Sequence, residues 1–103
     1  MRESQYQSKL IKKIKQRLPG CVILKNDPEY IQGIPDLVIF FEDRYAFLEV
    51  KIDANADEQP NQGYYVDLFN EMSFGAFIFP EIEEDVLDDL QRSLSSGRST
   101  RLS

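Results

Sequence analysis

The chain has no histidine and a single cysteine, Cys21. The first absence excludes histidine-ligated metal nucleases, His-Glu-x-x-His hydrolases, Ser-His-Asp and Cys-His catalysis, and Cys2His2 fingers. Any catalysis must run on carboxylates, lysine, glutamine, tyrosine and a borrowed metal ion. The lone cysteine can form no intrachain disulfide. Its place at the start of an apolar stretch reads as core packing in a reducing cytosol. Long apolar runs are also missing, and no segment approaches the ~20 residues that a membrane-spanning helix needs. The N-terminus is lysine-rich and amphipathic but lacks the apolar stretch of a signal peptide, so no membrane association and a cytoplasmic location are expected.

What is present fits one small domain of 103 residues with a single modest core. The net charge of −6 argues against simple nucleic-acid binding. Its distribution softens that argument. Residues 1–25 carry seven basic side chains (Arg2, Lys9, Lys12, Lys13, Lys15, Arg17, Lys25) against one acid, Glu3. The acidity gathers later, above all in Glu81, Glu83, Glu84, Asp85, Asp88 and Asp89. A basic N-terminal face with an acidic opposite end is compatible with a phosphate-binding side.

The most informative segment runs from Gly33 to Lys51. Two apolar, β-prone arms, 36–41 and 45–50, flank the polar triplet Glu42-Asp43-Arg44, which is a turn signal. Arms this continuously apolar read as strands buried on both faces. Yet Asp36, Glu49 and Lys51 stand at the far ends of the arms, where charge is costly unless it is paired or used. A two-residue loop at Asp43-Arg44 pairs Val38 with Glu49 and Asp36 with Lys51. All three charged side chains then share one face. A three-residue loop would move Asp36 to the other face unless a bulge restored parity. Two carboxylates and an ammonium on rigid strands make a hard-cation site with a base or electrophile beside it. The plainer alternative is a solvated hairpin end with an Asp36–Lys51 salt bridge.

Around the hairpin the periodicity predicts a helix over 3–18, with Tyr6, Leu10, Ile11, Ile14 and Leu18 as its apolar stripe and Pro19-Gly20 as its stop. A strand follows at 21–25. A second helix spans 62–73 with Tyr65, Leu68, Phe69 and Met72 on its apolar face. A strand at 76–79 and a helix at 82–94 follow. The folded domain is thus expected over 1–94, with 95–103 as a disordered polar tail. The order is αβββαβα: an α/β fold with a mixed four-stranded sheet and helices on both faces. Gly33 and Pro35 read as architectural.

This arrangement resembles the PD-(D/E)xK nuclease superfamily, and within it the small VRR-NUC branch, with its stand-alone phage versions that act as structure-specific or Holliday-junction nucleases. The resemblance rests on Glu3 opening the first helix, on Gly33, Pro35 and Asp36, on Glu49-Val50-Lys51 thirteen residues after Asp36, and on Gln62 opening the next helix. It implies a restriction-endonuclease-like core and a DNA endonuclease that uses Mg²⁺, with Mn²⁺ as a substitute. Asp36 and Glu49 would hold the metal, with the Val50 carbonyl as a further ligand. Lys51 would orient or deprotonate the attacking water, or stabilise the charged phosphorane. Glu3 would hold a second metal, although a carboxylate in a first turn also simply suits the helix dipole. Gln62 would bond a ligand water or the scissile phosphate, with Gln59 as a nearby competitor.

Lys9, Lys12, Lys13, Lys25, Tyr30 and Gln32 are candidate DNA contacts, against the alternative of a solvated surface. The resemblance further implies branched DNA as substrate, a homodimer with Tyr64 and Phe74 as interface candidates, and the host cytoplasm as the location of a phage-encoded protein. A nickase, a less selective endonuclease and a non-catalytic interaction module on the same fold are the alternatives.

Overall fold

The structure, a computed structural model, describes residues 1–102, with side chains described through Ser95. Its elements are α1 (Glu3–Arg17), β1 (Val22–Lys25), β2 (Leu37–Phe41), β3 (Arg44–Val50), α2 (Gln62–Met72), β4 (Gly75–Ile78), a single 3₁₀ turn (Pro80–Ile82) and α3 (Glu83–Leu102). The order is the expected one. Apart from Ser95, the polar tail expected over 95–103 falls on residues whose side chains lie outside those described.

The strands form one mixed sheet in the order β1-β2-β3-β4. β1, β2 and β3 are antiparallel neighbours, and α2 carries the chain over one face so that β4 joins β3 in parallel. Helices cover both faces, as the two-sided apolarity of β2 and β3 requires. On one face Leu37, Ile39, Ala46, Leu48, Val50 and Ile78 pack against α1 and α3. Those helices contribute Tyr6, Leu10, Ile14, Val86, Leu87, Leu90 and Leu94. On the other face Phe47 stacks on Phe69 of α2, with ring centroids 3.8 Å apart and planes 11° apart.

The α1 stripe is buried as its spacing predicts. On α2 the residue fully enclosed is Val66, whereas Met72 at the last turn is 59% exposed, contrary to expectation. Phe74 is partly buried, packed against the main core. Tyr64 remains exposed.

The hairpin register differs from the expected one by two residues. Phe41 faces Arg44 and Leu37 faces Leu48, so the loop is Glu42-Asp43 rather than Asp43-Arg44. Glu42 takes a positive φ of 58°, as the first residue of a tight hairpin loop can. Arg44 belongs to the strand, and its guanidinium donates to the Ser93 carbonyl of α3 at 3.0 Å. The loop still has two residues, so parity is kept and Asp36, Glu49 and Lys51 stay on one face.

The charge pattern also resolves differently from its appearance in the sequence. The acidic run on α3 is not remote from the basic run on α1, because the two helices lie side by side. Arg17 donates to Glu84 at 2.5 Å and to Asp88 at 2.6 Å. Lys13 pairs with Glu83, a buried carboxylate that also accepts from the Tyr6 hydroxyl at 2.9 Å. Part of the N-terminal positive charge is therefore neutralised within the molecule.

Candidate metal and catalytic centre

Asp36 precedes β2 and lies across from Glu49, one step beyond the Leu37–Leu48 pair. Its backbone is tied to β1 by the Asn26 N–H, which donates to the Asp36 carbonyl at 2.9 Å. The Asn26 side chain donates to the Pro35 carbonyl at 2.8 Å. Asp36 Oδ2 accepts the Val50 N–H at 2.8 Å, which fixes the carboxylate. The N–H and C=O of one strand residue project to the same side. The Val50 carbonyl is therefore aimed along the Asp36 edge, away from β4, whose Ile78 carbonyl accepts the Lys51 N–H at 2.9 Å.

Glu49 and Lys51 are buried, at 3% and 8% exposure. Gln62, the first residue of α2, joins them. Its Nε2–H donates to Glu49 Oε2 at 2.9 Å, and its Oε1 accepts from Lys51 Nζ at 2.6 Å. That same Oε1 accepts the Gln59 N–H at 2.7 Å, so Gln62 is held from three sides. Lys51 Nζ also donates to the Asp57 carbonyl at 2.9 Å and stands 3.8 Å from Glu49 Oε2. The Lys51–Asp36 salt bridge of the plainer alternative is replaced by these contacts. No sequence signal marks the contributions of Gln59 and Asp57, since both come from main-chain groups.

These residues line a cleft of about 380 Å³, with Glu3 on its wall. Gln5, not Glu3, caps α1, since its Oε1 accepts the Arg2 N–H at 2.9 Å. Partial burial and the Asp36 charge raise the Glu3 pKa, and Lys51 opposes them. For Glu49, burial pushes the carboxyl up to about 8. The neighbouring Asp36 carboxylate adds to this, and Lys51 again opposes.

Among the described residues, Glu49 Oε1 is the buried side-chain oxygen or nitrogen left without a hydrogen-bond partner. No set of three or more described Cys, Asp or Glu side chains forms a ready cage for a cation. The donor set fits a hard divalent ion instead. Such an ion uses one or two carboxylates and completes its shell with water and phosphate oxygens. Asp36, Glu49 and the Val50 carbonyl could hold it, with Glu3 across the cleft.

The candidate DNA contacts do not all gather here. Lys9 and Lys12 lie exposed on α1, Lys25 is exposed on the edge strand, and Gln32 is exposed on the loop before Pro35. Lys13 is committed to Glu83. No described helix is long and apolar enough to cross a membrane.

No protein-family profile matches the chain, and no curated protein does. Solved structures do. One described as a VRR_NUC domain is 24% identical, covers 85% of this chain and 91% of its own, and superposes with a TM-score of 0.63. A second, a VRR_NUC domain protein, is 16% identical, covers 91% and 88%, and has a TM-score of 0.64. The chain has the VRR_NUC fold, a restriction-endonuclease-like core.

Proposed function

We propose that the protein is a metal-dependent DNA endonuclease that hydrolyses phosphodiesters, with branched DNA of the Holliday-junction or flap type as substrate. The observation that carries the reading is Glu49 Oε1, a buried carboxylate oxygen with no partner, in a cleft it shares with Asp36 and Lys51. A buried polar atom left unsatisfied is costly. Here the cost is that of a ligand position suited to a cation. The Asp36 charge raises the proton affinity of Glu49, and a divalent ion between the two would relieve that repulsion.

A bound Mg²⁺ or Mn²⁺ would supply Lewis-acid stabilisation of the phosphoryl charge and a water made more acidic. The chain's own groups do the rest. Asp36, locked by the Val50 amide, presents its carboxylate at a fixed angle. Lys51, held by Gln62 and the Asp57 carbonyl, keeps a positive charge at the cleft wall, where a phosphorane develops its negative charge. Gln62 orients both Glu49 and Lys51 from a helix start, a rigid support for such a task. Glu3 adds a carboxylate from α1, suited to a second ion or to a water held against it.

The reading extends to a homodimer that presents two such clefts to the two strands of a branch, with the exposed Tyr64 and the partly buried Phe74 as interface candidates. Light scattering at micromolar concentration gives about twice the 12.0 kDa chain mass on this reading, and a monomeric mass removes it.

The decisive experiment incubates labelled junction, flap and plain duplex DNA with the protein and Mg²⁺ or Mn²⁺, beside Asp36→Ala. Wild type cuts branched DNA in preference to duplex, and Asp36→Ala cuts neither. Equal cleavage by a folded Asp36→Ala protein overturns the site assignment. Binding to DNA without any cleavage returns the fold to the class of interaction modules.

A further inference from the structure

We infer that a second, apolar pocket beside the carboxylate cleft is a subsite for one unstacked nucleobase of the strand whose phosphodiester lies over Asp36 and Glu49. This rests on the nuclease reading above. The pocket, of about 400 Å³, opens between the 26–34 loop, β3 and α2. Its wall includes the stacked rings of Phe47 and Phe69 together with Ile34. Tyr30 stands at the rim with 83% of its surface exposed. A ring that open adds little to the core, whereas an aromatic face is what an unpaired base stacks on.

Charge decides which part of a nucleotide enters. Asp27 is the charged residue of the lining, and neither lysine nor arginine joins it. A phosphate is repelled there. A neutral base whose amino and ring N–H groups donate is not, because carboxylate and amide side chains accept such donors. Asn26 and Asp27 supply that polar edge, and both are preset. Asn26 Nδ2–H donates to the Pro35 carbonyl at 2.8 Å, and Asp27 Oδ1 accepts the Glu29 N–H at 2.9 Å.

Position links the two pockets. Phe47 precedes Glu49 by two residues on β3, on the same sheet face, which separates them by about 7 Å along the strand. A base in the pocket and a phosphate in the cleft are then about one nucleotide apart. A paired base cannot reach the pocket without leaving its stack, and that step is cheapest where the base is already unpaired. The pocket thus selects DNA with a free base next to the scissile phosphate.

The test uses the full chain and a set of branched DNAs in which each unpaired nucleotide in turn is made abasic, all phosphates being kept. Binding is read by fluorescence anisotropy without divalent metal, and cleavage is read with Mn²⁺. For wild type, one abasic position weakens binding about tenfold, the scale of a base–aromatic stack. Tyr30→Ala shows the same weakening on intact DNA and no further weakening at that position, while Tyr30→Phe keeps wild-type binding. A wild type indifferent to every abasic position overturns the subsite, as do Tyr30→Ala and abasic effects that simply multiply. A protein that cuts nothing yet shows the coupled weakening refutes the nuclease reading alone. One that cuts without the coupled weakening refutes the base subsite alone. One that neither binds nor cuts refutes both.

Discussion

The side-chain amide of Gln62 donates to Glu49 Oε2 at 2.9 Å while its oxygen takes the Lys51 ammonium at 2.6 Å. One neutral residue thereby separates a buried acid from a buried base and sets the orientation of each.

Gln62→Ala therefore leaves Lys51 with the Asp57 carbonyl and a 3.8 Å approach to Glu49, and leaves the Gln59 amide without its acceptor. Depriving partly buried polar groups of their partners costs about 1–3 kcal/mol. Urea unfolding should show that decrease, and cleavage should fall with it. A variant as stable and as active as wild type would remove Gln62 from the centre. Lys51→Ala should also lower stability, since Lys51 is buried and multiply bonded and does not stand loose at the hairpin's end.

The raised pKa of Glu49, about 8 against an ordinary 4.5, makes stability depend on pH in a definite direction. Between those values the folded chain keeps a proton that the unfolded chain has released. The stabilisation is complete below about 4.5 and is lost as pH rises through about 8. Without divalent metal, the melting temperature should fall from pH 5 to pH 8. Glu49→Gln should flatten that fall, because its amide does not titrate. Parallel pH profiles for the two proteins would show that another group governs the slope.

Divalent metal should reverse the trend. A cation that binds the ionised pair in the folded state alone stabilises by mass action, by about 2.7 kcal/mol at a hundred times its dissociation constant. At pH 8, millimolar Mn²⁺ should raise the melting temperature of wild type and leave Glu49→Gln and Asp36→Ala nearly unmoved. Equal shifts in all three proteins would place the ion elsewhere.

The lysines of α1 divide into two kinds. Lys9 and Lys12 are exposed, so their alanine variants should keep full stability while making DNA binding less sensitive to salt. The slope of log affinity against log salt should drop by about one unit for each phosphate no longer neutralised. Lys13→Ala deprives the buried Glu83 of its ammonium partner and should cost about 1–2 kcal/mol in unfolding free energy. Salt titrations and denaturant melts of the three variants check both halves. An unchanged salt slope for Lys9→Ala and Lys12→Ala would move the DNA path off this helix.

Much of the fold and of the site was legible in the sequence, for identifiable reasons. The helix of 3–17 announces itself by its period, and the two arms by their unbroken apolar runs. The shared face of Asp36, Glu49 and Lys51 depends only on the parity of the hairpin loop, so it survived a register wrong by two residues. The register itself was not legible, because Glu42-Asp43-Arg44 offers two equally good two-residue loops. In the observed register Arg44 reaches Ser93 on α3, a contact between residues far apart in the chain. Distance in the chain also hid the pairing of α1 with α3. Acidic and basic runs at opposite ends of a sequence look like opposite poles until the helices are laid side by side. Val66 escaped notice because the stripe read through Tyr65, Leu68, Phe69 and Met72 is offset from the face that meets the sheet, which carries Val66 and Phe69 and leaves Met72 outside.

Gly33 has a φ of +88°, and a methyl group there would meet the Pro60 carbonyl at 2.7 Å and Asn61 Cβ at 2.6 Å. The loop that carries Tyr30 and leads to Asp36 thus abuts the loop that leads to Gln62. With no side chain between them to compress, neither backbone can shift toward the other without pushing it. An induced displacement at residues 30–33 is handed on to the start of α2, and so to the amide that holds Glu49 and Lys51. Gly33→Ala would fail twice over, by its backbone angle and by wedging the two loops apart. The two halves of the cleft are mechanically one part, although the chain visits them nearly thirty residues apart.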